Sequence, residues 1–115
     1  LCTEAIDINQ AQKDGCTPLF IACGRGHLDV VNALLSKDRI EVNQVGKNGA
    51  TPLWIACQEG HLDVVNALLR IDETNINQAQ KYGGETPLWI ASKKGHLDVV
   101  NALLRIDETN VNQPT

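Results

Sequence analysis

The ten residues Gly-His-Leu-Asp-Val-Val-Asn-Ala-Leu-Leu stand unchanged at 26–35, 60–69 and 95–104. The copies are spaced by 34 and 35 residues, and Thr-Pro-Leu recurs with the same spacing at Thr17, Thr51 and Thr86. Self-similarity at such a period marks an array of stacked supersecondary units. The additional residue of the third copy falls near Gly83 and Gly84. Residues 1–10 align without gaps on 35–44, 69–78 and 104–113. The expected organisation is therefore the end of a preceding repeat at 1–10, then units at 11–44, 45–78 and 79–113.

Each unit can be read physically. Thr17 is a good N-cap and Pro18 suits the first helical position, where its absent N–H is not needed, so a helix is predicted from Pro18 to about Arg25. Gly26 should stop it in the left-handed conformation. The stretch Leu-Phe-Ile-Ala-Cys within it is apolar all round, as for a helix covered from more than one side. A second helix is predicted from about Leu28 to Ser36, with Asp29 in its first turn, where the helix dipole favours negative charge. Val30, Val31, Leu34 and Leu35 form its apolar stripe. A polar linker, a short extended piece at Ile40-Glu41-Val42-Asn43 and a turn at Gly46-Lys47-Asn48-Gly49 complete the unit. Helices of about 8 to 10 residues are too short to persist alone in water. Stacking must supply the stability, and the predicted fold is an all-α solenoid of helix-turn-helix units joined by short β-hairpin-like loops.

Composition agrees. The chain has 115 residues, enough for one domain, and 43% are hydrophobic. Leu, Ile, Val and Phe make up 32 of them, more than a disordered chain carries. No apolar run approaches the length that crosses a bilayer, so no membrane insertion is expected. With no Met and Leu at position 1, the sequence is expected to be an excerpt of a longer chain. Ten basic against fourteen acidic side chains leave a net charge of −4, which argues against nucleic acid as a partner. Cys23 and Cys57 share one repeat position, which Ser92 fills in the third copy. This reads as a small buried side chain rather than a bridge, and points to a reducing, intracellular, cytoplasmic setting.

The order Gly-x-Thr-Pro-Leu, Ala, Gly-His-Leu-Asp-Val-Val, Leu-Leu and Val-Asn closely resembles the ankyrin repeat over nearly the whole chain. Two departures stand out. The family's usual His after Thr-Pro-Leu is Phe20, Trp54 or Trp89 here, which implies apolar packing in place of that residue's hydrogen bonds. The usual Gly-Ala after the second helix is replaced by longer linkers such as Ser36-Lys37-Asp38-Arg39. The resemblance implies a non-catalytic module that recognises another protein on the concave side built by hairpin tips and first-helix ends.

Repetition serves as a control on chemical sites. A Cys16–His27 nucleophile and base fails because the cognate pairs are Ala50 with His61 and Glu85 with His96. His27, His61 and His96 sit on helices about 8 to 10 Å apart, too far to share a zinc ion, so no metal and no cofactor is expected. Gly24-Arg25-Gly26 reads as a helix end, since its cognates are Gln58-Glu59-Gly60 and Lys93-Lys94-Gly95. Phe20, Trp54 and Trp89 read as core packing, with ligand contact as the alternative.

The positions that differ between copies mark the expected partner-binding surface. At the tips these are Lys13, Asp14, Lys47, Asn48, Lys81 and Tyr82; at the helix ends they are Arg25, Gln58, Glu59, Lys93 and Lys94. With Glu85 included, this side holds six basic against three acidic side chains, and the remainder four basic against eleven acidic. An acidic segment of a partner protein is the expected ligand. Tyr82 is the best single hot-spot candidate. The alternative function is a structural spacer in a longer array. Because no following pair covers the last helix pair, exposed apolar ends, marginal stability and end-to-end self-association are expected as well.

Overall fold

A computed structural model describes residues 6–81 and 83–111; of Lys47 and residues 107–111 it describes the backbone alone. Six helices follow one another: α1 Pro18–Arg25, α2 Leu28–Leu35, α3 Pro52–Glu59, α4 Leu62–Leu69, α5 Pro87–Lys94 and α6 Leu97–Val111. Among the described residues there is no strand. The expected all-α stack of helix-turn-helix units is what forms, with overall extents of 53 × 30 × 26 Å.

The punctuation is local. Oγ1 of Thr17, Thr51 and Thr86 accepts the backbone N–H of Phe20, Trp54 and Trp89 at 3.1, 3.1 and 3.2 Å, satisfying one donor that a helix start leaves bare. Gly26, Gly60 and Gly95 end the first helices with φ of 73°, 75° and 76°, a conformation that glycine adopts without steric penalty. The next N–H then turns back, as from His27 to the Ala22 carbonyl at 3.0 Å.

First helices pack on first helices and second on second, α1 on α3 on α5 and α2 on α4 on α6. Leu19, Cys23, Val31, Leu53, Cys57, Val64, Val65, Leu68 and Val99 are wholly or almost wholly buried between these layers. Each Leu or Val so covered contributes about 1.5 to 3 kcal/mol. The first-helix row is the more closely packed of the two, so the stack bends towards the side that carries the hairpins.

The linkers depart from the expected extended piece. Val42 and Asn43 lie in a turn. The Asn side chain of the preceding unit, and not a strand neighbour, satisfies the linker backbone. Asn9 donates from Nδ2 to the Arg39 carbonyl at 2.7 Å and accepts the Glu41 N–H at 2.9 Å. Asn43 repeats this on the Glu73 carbonyl and the Asn75 N–H, both at 2.7 Å. Each loop at a unit boundary is a narrow hairpin with a single rung: Gln12 N–H to Cys16 O, Gly46 N–H to Ala50 O and Gln80 N–H to Glu85 O, at 3.0, 2.7 and 2.8 Å.

A second departure is the length of α6. Residues 60–75 and 95–110 are identical in sequence, yet α4 stops at Leu69 while α6 continues to Val111. Behind α4, Thr74 Oγ1 donates to the Leu68 carbonyl at 2.8 Å, and Asn43 grips the chain on both sides of Thr74.

Candidate functional site

The variable positions gather on the side towards which the stack bends. Tip follows tip, because the Lys81 N–H donates to the Asn48 carbonyl of the preceding hairpin at 3.2 Å. Asn48 holds φ of 62°, the left-handed turn that lets its hairpin close. Lys13, Asp14, Arg25, Asn48, Glu59, Lys81, Lys93 and Lys94 are exposed. Asp14 also shapes its own turn, Oδ1 accepting the Cys16 N–H at 3.0 Å. Lys47 belongs to the single 3-10 turn, Lys47–Gly49. Tyr82 lies outside the described residues.

Some variable positions serve packing. Gln58 is half-buried, its Nε2 donating to Glu59 Oε2 at 3.0 Å and its carbonyl accepting from His96. Gly24 is small because a Cβ there would stand 3.1 Å from Ile55 of the next unit. The Glu85 carbonyl accepts from Trp54 Nε1 at 3.0 Å. Trp54 thus keeps a hydrogen bond in the place where only apolar packing was expected. Phe20 has no such group; its ring lies where a Cβ of Gly46 would be, 2.7 Å away.

The aromatic trio splits. Phe20 and Trp54 are 7% and 4% exposed, but Trp89 is 46% exposed. Lys93 Nζ stands 5.2 Å from the centre of the Trp89 ring, a cation–π contact open to solvent. The repeat position alone suggested a core residue, because the hairpin that covers Trp54 belongs to the following unit.

The histidines act between units. Nε2 of His61 donates to the Gly24 carbonyl at 3.2 Å, and Nε2 of His96 to the Gln58 carbonyl at 3.0 Å. Their rings lie against Gly26 and Gly60, where a Cβ would come within 2.7 Å. His27 is exposed and lines a cleft of about 320 Å³ at the outer side of α1 and α2, together with Cys16, Pro18, Ile21 and Val30.

Burial pushes the Cys23 and Cys57 thiols up to about 12, so neither supplies a thiolate near neutral pH. Cys16, Cys23 and Cys57 are all free thiols in buried positions. Among the described residues, no three His, Cys, Asp or Glu side chains gather as metal ligands would, and no helix is long and apolar enough to cross a membrane.

A family model described as ankyrin repeats (3 copies) matches residues 1–80 and 41–115, together the whole chain. No curated protein matches the sequence at a significant level.

Proposed function

The chain belongs to the ankyrin-repeat family, whose members in general bind other proteins and are typically not catalysts, and on that premise we propose that it is a non-catalytic recognition module for an acidic segment of a partner protein. One observation carries the reading: a constant buried framework presents differing exposed side chains at equivalent tips and helix ends. The units at 11–44, 45–78 and 79–113 each contribute one tip and one helix end to a single concave surface. Lys13, Arg25, Lys81, Lys93 and Lys94 give that side its positive excess, and Asn48, Glu59 and Asp14 individualise the tips and ends. A local positive field raises the association rate of an anionic partner even though the whole molecule is negative. The free, buried thiols favour a reducing intracellular setting.

The test is a titration of labelled acidic and basic peptides of equal length, at low and at physiological salt. The acidic peptide is expected to bind at least about tenfold more tightly, an advantage of about 1.4 kcal/mol that shrinks as salt is added. Lys93→Glu with Lys94→Glu should remove most of it, and Tyr82→Ala should weaken binding by about the same factor. Equal affinity for both peptides at low salt refutes the proposal.

A further inference from the structure

The two outer faces of the stack are unlike each other, and each repeats one half of the internal junctions. On the outer side of α1 and α2, Pro18, Ile21, His27, Val30 and Ala33 are open to solvent, whereas their cognates Pro52, Val64 and Ala67 are buried against the preceding unit. On the outer side of α5 and α6, Leu88 is 39% exposed against 1% for Leu53, and Trp89 is 46% exposed against 4% for Trp54. A Cβ at Gly95 would meet nothing within 4 Å, whereas one at Gly26 or Gly60 would strike a histidine ring.

We infer that these two faces are complementary, and that the outer face of α5–α6 receives the outer face of α1–α2 of a second copy of this chain in head-to-tail register. The internal junctions supply the geometry. His61 and His96 each lie over the glycine that ends the preceding first helix and donate to a carbonyl two residues before it. His27 of the second copy is the cognate donor, and Gly95 with the Lys93 carbonyl is the cognate acceptor site. Trp54 donates to the carbonyl of the residue just before the Thr cap of the next unit, Glu85. For Trp89 the cognate acceptor is the Cys16 carbonyl of the second copy.

Side-chain matching points the same way. Phe20 requires Gly46 at the facing hairpin position, because its ring fills the Cβ space there. Trp54 faces a hairpin that carries Gln80 at that position, and the outer hairpin also carries Gln, at Gln12. The new junction therefore repeats the one between the second and third units. Ser92, which replaces the buried Cys of the other copies, is not an obstacle: its hydroxyl already donates to the Leu88 carbonyl at 2.8 Å. A head-to-tail contact of this kind does not close on itself, so it builds a ladder of species and not a single dimer. The inference does not depend on the concave surface, because neither outer face belongs to it.

The test uses the 115-residue chain in sedimentation velocity from about 1 µM to about 1 mM. The weight-average mass is expected to climb with concentration through multiples of 12.5 kDa. His27→Ala removes a side chain that holds nothing within one copy, and should weaken association about tenfold with the unfolding midpoint unchanged. Two double variants, Ile21→Glu with Val30→Lys on one face and Leu88→Lys with Trp89→Glu on the other, should each be monomeric. Mixed, they should form a one-to-one dimer and stop there, since each keeps one intact face. A wild-type chain that stays monomeric throughout the range overturns the inference. So does association that His27→Ala leaves untouched, or a mixture of the two variants that remains monomeric.

Discussion

Gly60 and Gly95 form a matched pair for measuring what holds one unit to the next. Both end a first helix, both precede His-Leu-Asp-Val-Val, and their φ values are 75° and 76°. Replacing either by Ala forces a Cβ into the left-handed region, at about 1 to 2 kcal/mol. At Gly95 nothing else happens, because no atom lies within 4 Å of the new methyl. At Gly60 the methyl would stand 2.7 Å from the His96 ring, which must leave its place. That movement breaks the 3.0 Å bond from His96 to the Gln58 carbonyl, worth about 1 kcal/mol, and disturbs packing by about another 1 to 2 kcal/mol. Gly60→Ala should thus be about 2 to 3 kcal/mol more destabilising than Gly95→Ala, a large share of the roughly 5 to 15 kcal/mol that holds a domain folded. Urea unfolding followed by circular dichroism, at a concentration low enough to keep the chain monomeric, reads the difference directly. His96→Ala placed on top of Gly60→Ala should recover at least about 1 kcal/mol, because the clash has lost its partner. Equal losses at the two glycines, or no recovery in the double variant, would refute the histidine as an inter-unit contact.

Three further outcomes follow from the same geometry. Trp54→Phe keeps the buried ring but removes the donor to the Glu85 carbonyl and should lose about 1 kcal/mol, whereas Trp89→Phe should stay within about 0.5 kcal/mol in the same unfolding assay. Asn43→Ala strips two 2.7 Å bonds from the linker after α4 and should lose about 1 to 2 kcal/mol; faster amide exchange at Asn75 would locate the loss, and unchanged exchange there would contradict it. Cys23 and Cys57 should resist alkylation at pH 8 until the chain unfolds. Their thiols ionise near 12 when folded and near the model value of 9.0 when exposed, so over that interval the unfolded chain loses protons that the folded chain keeps. Stability should therefore be level below about pH 9 and fall as pH rises towards 12, and a rise over that interval would contradict the burial.

The candidate surface was only partly legible from residue types. Exposure at Lys13, Arg25, Lys93 and Lys94 follows from their charge and their place at tips and helix ends. Gln58 and Gly24 look equally variable, yet one is half-buried with its carbonyl bonded to the next unit, and the other is small because Ile55 presses on it. Trp89 carries the reverse lesson. Its repeat position reads as core, but the hairpin that would bury it, as 80–85 buries Trp54, is not among the described residues.

The helix limits needed nothing beyond the chain's own neighbours: Thr caps the N–H three residues on, Pro fits the first turn, and Gly reverses the backbone at the end. Such contacts span three or four positions, so they form identically in all three copies and could be read in advance. Coverage cannot be read that way. The same sixteen residues, 60–75 and 95–110, end one helix after Leu69 and extend another to Val111. In the first case Asn43 of the preceding unit grips the Glu73 carbonyl and the Asn75 N–H, making the turn more favourable than further helix. Where the outcome rests on hydrogen bonds more than thirty residues away in sequence, only the assembled stack decides it.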